Sequence, residues 1–197
     1  MYLQQFFIDG IGCLSYLVGC ESYGVAAVID PDRDVQKYLD AAADRGLKIT
    51  HIIETHLHAD HVSGNTELSD RTGADIYVHE AADAEFEHKT LKGGDTLTLG
   101  NLDLRIRHTP GHTPESITVL VADKTRSEQT WMALTGDTLF VGDAGRPDLV
   151  GLEAARDLAG HMHDTLNNEY LTLPDGTLIL PGHGAGSLCG KSIGSVR

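Results

Sequence analysis

Thr55-His56-Leu57-His58-Ala59-Asp60-His61-Val62-Ser63-Gly64 gathers three imidazoles and a carboxylate into one short segment. Few purposes other than holding metal ask for that density. Imidazole and carboxylate suit zinc, iron or manganese, whereas a soft-metal or iron–sulfur site needs cysteine. The competing reading is a polar surface loop that happens to be rich in histidine, and the spacing weighs against it. Residues two apart in an extended chain share a face, which sets His56 beside His58, while Asp60 and His61 fall where the chain bends toward a helix.

The flanking residues frame the segment. Ile49-Thr50-His51-Ile52-Ile53-Glu54 is a short β-branched run that reads as a buried strand. The residues from Gly64 to Gly73 read as a short helix closed by glycine. Strand, ligand-rich turn and helix follow in order, and strand ends are where layered α/β folds keep their chemistry. Three further positions have the same setting: His112 in Thr109-Pro110-Gly111-His112-Thr113, Asp137 in Leu134-Thr135-Gly136-Asp137-Thr138, and His183 in Leu180-Pro181-Gly182-His183-Gly184. A glycine precedes each, allowing a sharp turn and a close backbone approach. Strands are also expected at Gln5–Ile8, Leu14–Val18 and Val25–Ile29. A helix is expected over about Asp34–Arg45 with a Val35, Leu39, Ala42 stripe, and another near Leu152–Leu166 that buries Ala155, Leu158, Ala159, Met162 and Leu166. His161 and His163 then face solvent, and His51, His79, His88 and His108 fit no ligand slot.

The order His-x-His-x-Asp-His, then His, Asp and His, is similar to that of the metallo-β-lactamase superfamily. The likeness runs from Tyr2 to about Lys191. It implies an α/β fold, the αβ/βα four-layer sandwich, with residues 1–197 as a single catalytic domain. It also supplies seven candidate ligands: His56, His58, Asp60, His61, His112, Asp137 and His183. Two motifs, Gly145-Arg146-Pro147-Asp148 after Asp137 and Gly184-Ala185-Gly186-Ser187 after His183, resemble the bacterial persulfide dioxygenases, often fused to rhodanese domains, more than they resemble glyoxalase II. Those relatives continue past the final histidine loop, so the expectation is either a short natural form or a catalytic piece of a longer rhodanese fusion. A second copy of the chain is expected to cover any apolar surface this leaves, giving a homodimer.

The dioxygenase resemblance implies one Fe(II) per chain on His56, His112 and Asp137, the two-histidine, one-carboxylate triad with open positions opposite. O2 and glutathione persulfide, or a related small persulfide, would be converted to sulfite and thiol, with a rhodanese sulfurtransferase as possible partner. His58, Asp60, His61 and His183 would orient the triad. The glyoxalase II resemblance implies instead zinc or a mixed binuclear centre on all seven residues, bridged by Asp137, that hydrolyses a hydroxyacylglutathione thioester. A non-catalytic scaffold is the third reading. It sits poorly with seven retained ligand types, because a buried ionisable cluster is costly to keep without metal. Arg146 is either a contact for a substrate carboxylate or one half of a loop-bracing ion pair with Asp148 or Asp143. Lys191, Arg105 and Arg107 are further cations with no assigned place.

Composition narrows the partners. A net charge of −14 argues against nucleic acid or an anionic membrane, each of which wants a basic face. At 197 residues and 41% hydrophobic, the chain can bury a substantial core. The three cysteines, Cys13, Cys20 and Cys189, are too few and scattered for a disulfide framework, so a reducing cytoplasm is expected. Cys189 reads either as a sulfur-carrying thiol or, more simply, as a small buried residue.

Overall fold

The computed structural model describes residues 1–8, 10–185, 187 and 193. Six strands, β1 (Tyr2–Ile8), β2 (Cys13–Cys20), β3 (Val25–Ile29), β4 (Lys48–Ile53), β5 (Asp75–His79) and β6 (Lys89–Leu91), form one sheet in sequence order. Five more, β7 (Thr96–Leu99), β8 (Leu102–His108), β9 (Ile117–Asp123), β10 (Met132–Gly136) and β11 (Leu178–Pro181), form the second, also in order.

The two sheets face each other across one apolar core. Tyr16, Val18, Ala27, Ile29 and Ile53 of the first meet Leu104, Ile106, Val119, Val121 and Leu134 of the second. Helices cover the outer faces. α1 (Gln36–Asp44) and α2 (Asn65–Thr72) bury Tyr38, Ala42 and Leu68 against Leu17, Val28, Ile52 and Ile76. α3 (Leu152–Thr165) runs into a π-helical turn at Leu166–Tyr170, and the Tyr170 hydroxyl reaches Thr118 on the outer face of β9. Helix, sheet, sheet, helix is the four-layer arrangement expected. β2 and β9 are buried along their whole length, because each has a sheet in front and helix behind. Among the described residues no helix is long and apolar enough to cross a membrane.

Two sequence expectations shift. The buried face of α3 is Leu158, Met162 and Thr165, while Ala159 is exposed and Ala155 and Leu166 are half-buried. Thr165 takes the inward place because its hydroxyl donates to Pro110 O at 2.8 Å, a polar tie that an apolar stripe does not reveal. The segment from Glu54 to Gly64 is an irregular loop rather than an extended strand, so the two-residue period does not govern it. α2 ends as expected, with Gly73 in the left-handed conformation at φ 71°.

Candidate metal centre

Strand ends from both sheets converge on the ligand-type residues. The loop after β4 carries His56, His58, Asp60 and His61, and the turn between β8 and β9 carries His112. Asp137 follows β10, and His183 follows β11 by two residues. The parallel pairing of Gly136 with Pro181 sets those last two side by side. A Cβ on Gly182 would stand 2.6 Å from Asp137 Oδ1, so only glycine lets the two strand ends close up.

His56, His112 and Asp137 form one buried group whose donor atoms all lie within 4.8 Å of one another. Asp137 Oδ2 is 3.9 Å from His56 Nε2 and 3.6 Å from His112 Nε2. Each imidazole is held from behind. Thr55 donates its hydroxyl to Asp30 Oδ2 at 2.8 Å, so its oxygen accepts from His56 Nδ1 at 3.0 Å. His112 Nδ1 donates to Arg146 O at 3.1 Å. With both Nδ1 atoms protonated, both Nε2 lone pairs point at the carboxylate, as a metal requires. Burial, aided by the charge on His58, lowers His56 to about 3 and keeps it neutral. Burial would raise Asp137, yet its bond from His183 holds it below the ordinary carboxylate range. The donor set therefore suits a cation.

His58 lies beside the trio. Its ring lies 4.2 Å from that of His56, but its Nε2 is 3.2 Å from Asp30 Oδ1 and 3.2 Å from Glu54 Oε2, both on buried residues. Burial alone would lower its pKa, and the two carboxylates reverse that and raise it well above 6.5. His58 thus faces two acids on one side, and on the other its ring lies 4.3 Å from that of His61, with which it and Asp60 form a further group of donor atoms within 4.8 Å of one another.

Asp60, His61 and His183 make a third cluster. His183 Nε2 lies 2.8 Å from Asp60 Oδ2 while its Nδ1 lies 2.7 Å from Asp137 Oδ1. His61 Nδ1 is 3.1 Å from Asp60 Oδ1. The sequence reading overlooked Asp30, Glu54 and Thr55 as supports, and it did not connect Cys13 with this cluster. Acids at the ends of buried strands were the available signal for the first two.

A cavity of about 600 Å³ opens over the triad, edged by Leu57, Glu115, Arg146, Leu149 and Val150. Arg146 pairs with Asp148 through two bonds, Nε to Oδ1 at 3.1 Å and a terminal nitrogen to Oδ2 at 2.6 Å, as the bracing reading expects. Arg105 faces Asp103 and Arg107 faces Glu169, and neither lines the cavity. Cys189 and Lys191 lie outside the described residues, as do Gly186 and Leu188.

The sequence model described as the metallo-beta-lactamase superfamily matches residues 8–183. A hydroxyacylglutathione hydrolase from Rhodospirillum rubrum is 35% identical over 85% of this chain and 60% of its own length. The human mitochondrial persulfide dioxygenase ETHE1 is 30% identical over 92% of this chain and 67% of its own. A solved metallo-beta-lactamase structure from Staphylococcus aureus superposes with a TM-score of 0.92 at 38% identity, over 99% of this chain and 58% of that one. The chain thus spans less than two thirds of the hydrolase it resembles.

Proposed function

Because the chain belongs to the metallo-β-lactamase superfamily, we propose that it is a persulfide dioxygenase with a single ferrous iron on His56, His112 and Asp137. The observation that carries this reading is the position of His58. A binuclear hydrolase draws all seven ligand types onto its two ions, whereas here His58 Nε2 lies 3.2 Å from both Asp30 and Glu54, outside the buried trio of His56, His112 and Asp137. What remains for the first ion is two imidazoles and one carboxylate, the donor set of mononuclear non-haem iron sites.

Held by His56, His112 and Asp137, iron would supply the redox chemistry by which O2 oxidises a persulfide sulfur. Overall, a persulfide anion, O2 and water give sulfite, the parent thiol and one proton. The chain's own residues have three tasks. Thr55 and the main chain of Arg146 fix the histidine tautomers. His183 holds Asp137 through Oδ1, leaving Oδ2 for the ion. The guanidinium of Arg146, at the cavity edge, suits a carboxylate of a glutathione-like substrate, and a cavity of about 600 Å³ lies within the ordinary range for small-molecule sites. Leu149 and Val150 offer that substrate apolar contact. Cys13 and Cys20 are both free thiols, which supports a cytoplasmic setting.

The test is metal content of anaerobically purified protein together with O2 consumption on adding glutathione persulfide. Close to one iron per chain with O2 uptake and sulfite release is expected. Two metals per chain, no O2 uptake and turnover of S-lactoylglutathione would overturn the reading in favour of the thioesterase, which the R. rubrum relative makes the foremost rival.

A further inference from the structure

His56 and His112 sit on loops from different sheets, one after β4 and the other between β8 and β9. Two hydrogen bonds tie those loops together, one on each side of His56. Ile117 N donates to Thr55 O at 2.8 Å, and Leu57 N donates to Glu115 Oε1 at 3.0 Å. The first runs from main chain to main chain at the start of β9. The second spans 58 positions and depends on a single carboxylate. Glu115 is 8% exposed and stands in the wall of the cavity. A tight turn fixes its backbone: Thr109 N donates to Ser116 O at 2.8 Å, Gly111 N to Thr113 O at 3.2 Å, and Thr113 N to Ser116 Oγ at 3.2 Å. Leu57 lies in an irregular loop where no strand ladder serves its N–H, so the carboxylate meets a main-chain donor that burial would otherwise strand.

We infer that Glu115 is a positioning residue for the triad: by holding Leu57 N, its carboxylate fixes where His56 stands relative to His112, and so sets metal affinity rather than substrate binding. The inference rests on the assignment of His56, His112 and Asp137 as the ligands. Leu57 directly follows His56, so a shift of its amide carries the His56 main chain with it and draws the imidazole off the Thr55 hydroxyl, 3.0 Å from Nδ1. The rings of His56 and His112 lie edge to face with centroids 5.1 Å apart, and this is the spacing that Glu115 maintains across the two sheets. The rival role for a carboxylate on the cavity wall is contact with a cationic group of the substrate. That role would change KM and leave the metal in place.

The test titrates the metal-free full chain with cobalt(II) alone and follows the part of the visible ligand-field spectrum that His112→Ala abolishes. Glu115→Ala is expected to bind that cobalt about tenfold more weakly, the worth of one charge-assisted bond, with its bands displaced. Glu115→Gln keeps an oxygen that accepts from Leu57 N, and is expected to recover most of the affinity and the wild-type band positions. With iron at saturation, O2 uptake on glutathione persulfide is expected to show a lower kcat and an unchanged KM in Glu115→Ala. Cobalt bound as tightly by Glu115→Ala as by the wild type, a Glu115→Gln as weak as Glu115→Ala, or full affinity with a raised KM overturns the inference, the last making Glu115 a substrate contact. If Glu115→Ala does not fold, amide exchange in the isotope-labelled, metal-free wild type decides: slow exchange at Leu57 N is expected, and exchange at the rate of an open loop overturns the inference. Failure of the dioxygenase reading shows separately, as an iron-loaded wild type that takes up no O2, while the cobalt results stand. Failure of the triad shows as a His112→Ala spectrum equal to that of the wild type.

Discussion

The Nδ1–H of His112 donates to the main-chain oxygen of Arg146 across 3.1 Å, so the loop that presents an arginine to the cavity also sets the tautomer of a triad histidine. Side chain and main chain of Arg146 therefore have separable roles. Arg146→Ala keeps the carbonyl, and iron content is expected to hold while KM for glutathione persulfide rises about tenfold, the worth of roughly one charge-assisted bond. Asp148→Ala is the control, since it removes both Asp148 acceptors but keeps the guanidinium. Steady-state O2 uptake with an iron assay decides. An equal rise in KM for both variants would reduce Arg146 to a brace.

His58 between Asp30 and Glu54 yields a second expectation. His58→Ala should cost about 3 kcal/mol or more in urea unfolding, because two buried acids lose their cation, while the iron bound per chain stays near the wild-type level. His112→Ala should do the reverse, losing iron with a smaller effect on the metal-free chain. If His58→Ala instead loses iron as His112→Ala does, His58 is a ligand and the mononuclear reading falls.

The candidate ligand residues could be picked out in the sequence because their strand-end setting repeats, with glycine before His112, Asp137 and His183. The grouping of those residues was not. Alternation put His58 beside His56, and the rings are indeed neighbours, yet the choice of partner is made by the charges of Asp30 and Glu54, a Coulombic effect with no periodicity. Cys13 lies 170 positions from His183, and only the bridge between the two sheets brings them together. Strand positions emerged well where β-branched residues dominate, as in Val25–Ile29. They ran short in β2, whose last residues, Gly19 and Cys20, have no strand signature and are held by pairing with Ala26 and Val25.

Gly182 offers a test of the close approach at the strand ends. A Cβ there would stand 2.6 Å from Asp137 Oδ1, inside any tolerated contact, and would push the carboxylate off the line that joins it to His183 and the triad. Gly182→Ala is expected to fold, as judged by far-ultraviolet circular dichroism, and to lose most of its iron and its O2 uptake. Gly176→Ala, where a Cβ meets nothing within 4 Å, should be silent. Full iron in Gly182→Ala would show that Asp137 does not depend on this packing.

The imidazoles also set how the metal-free chain responds to pH. His56 is lowered from 6.5 to about 3, first by burial and then by the charge of His58. The unfolded chain therefore takes a proton there below pH 6.5 that the folded chain refuses until about pH 3, and stability falls through that window as acid is added. His61 has the opposite sign. Burial would lower it, but its bond to Asp60 and its contact with Cys13 hold it up to about 9, so its contribution is complete below 6.5 and is lost as pH rises to about 9. His58 adds to that alkaline loss, since its pKa is also raised. The urea midpoint of the metal-free chain should therefore peak near pH 6.5 and decline on both sides, and His61→Gln should flatten the alkaline side. A midpoint that climbs steadily to pH 9 would contradict the ionic pairing of His58 and His61, and with it the case for keeping His58 away from the iron.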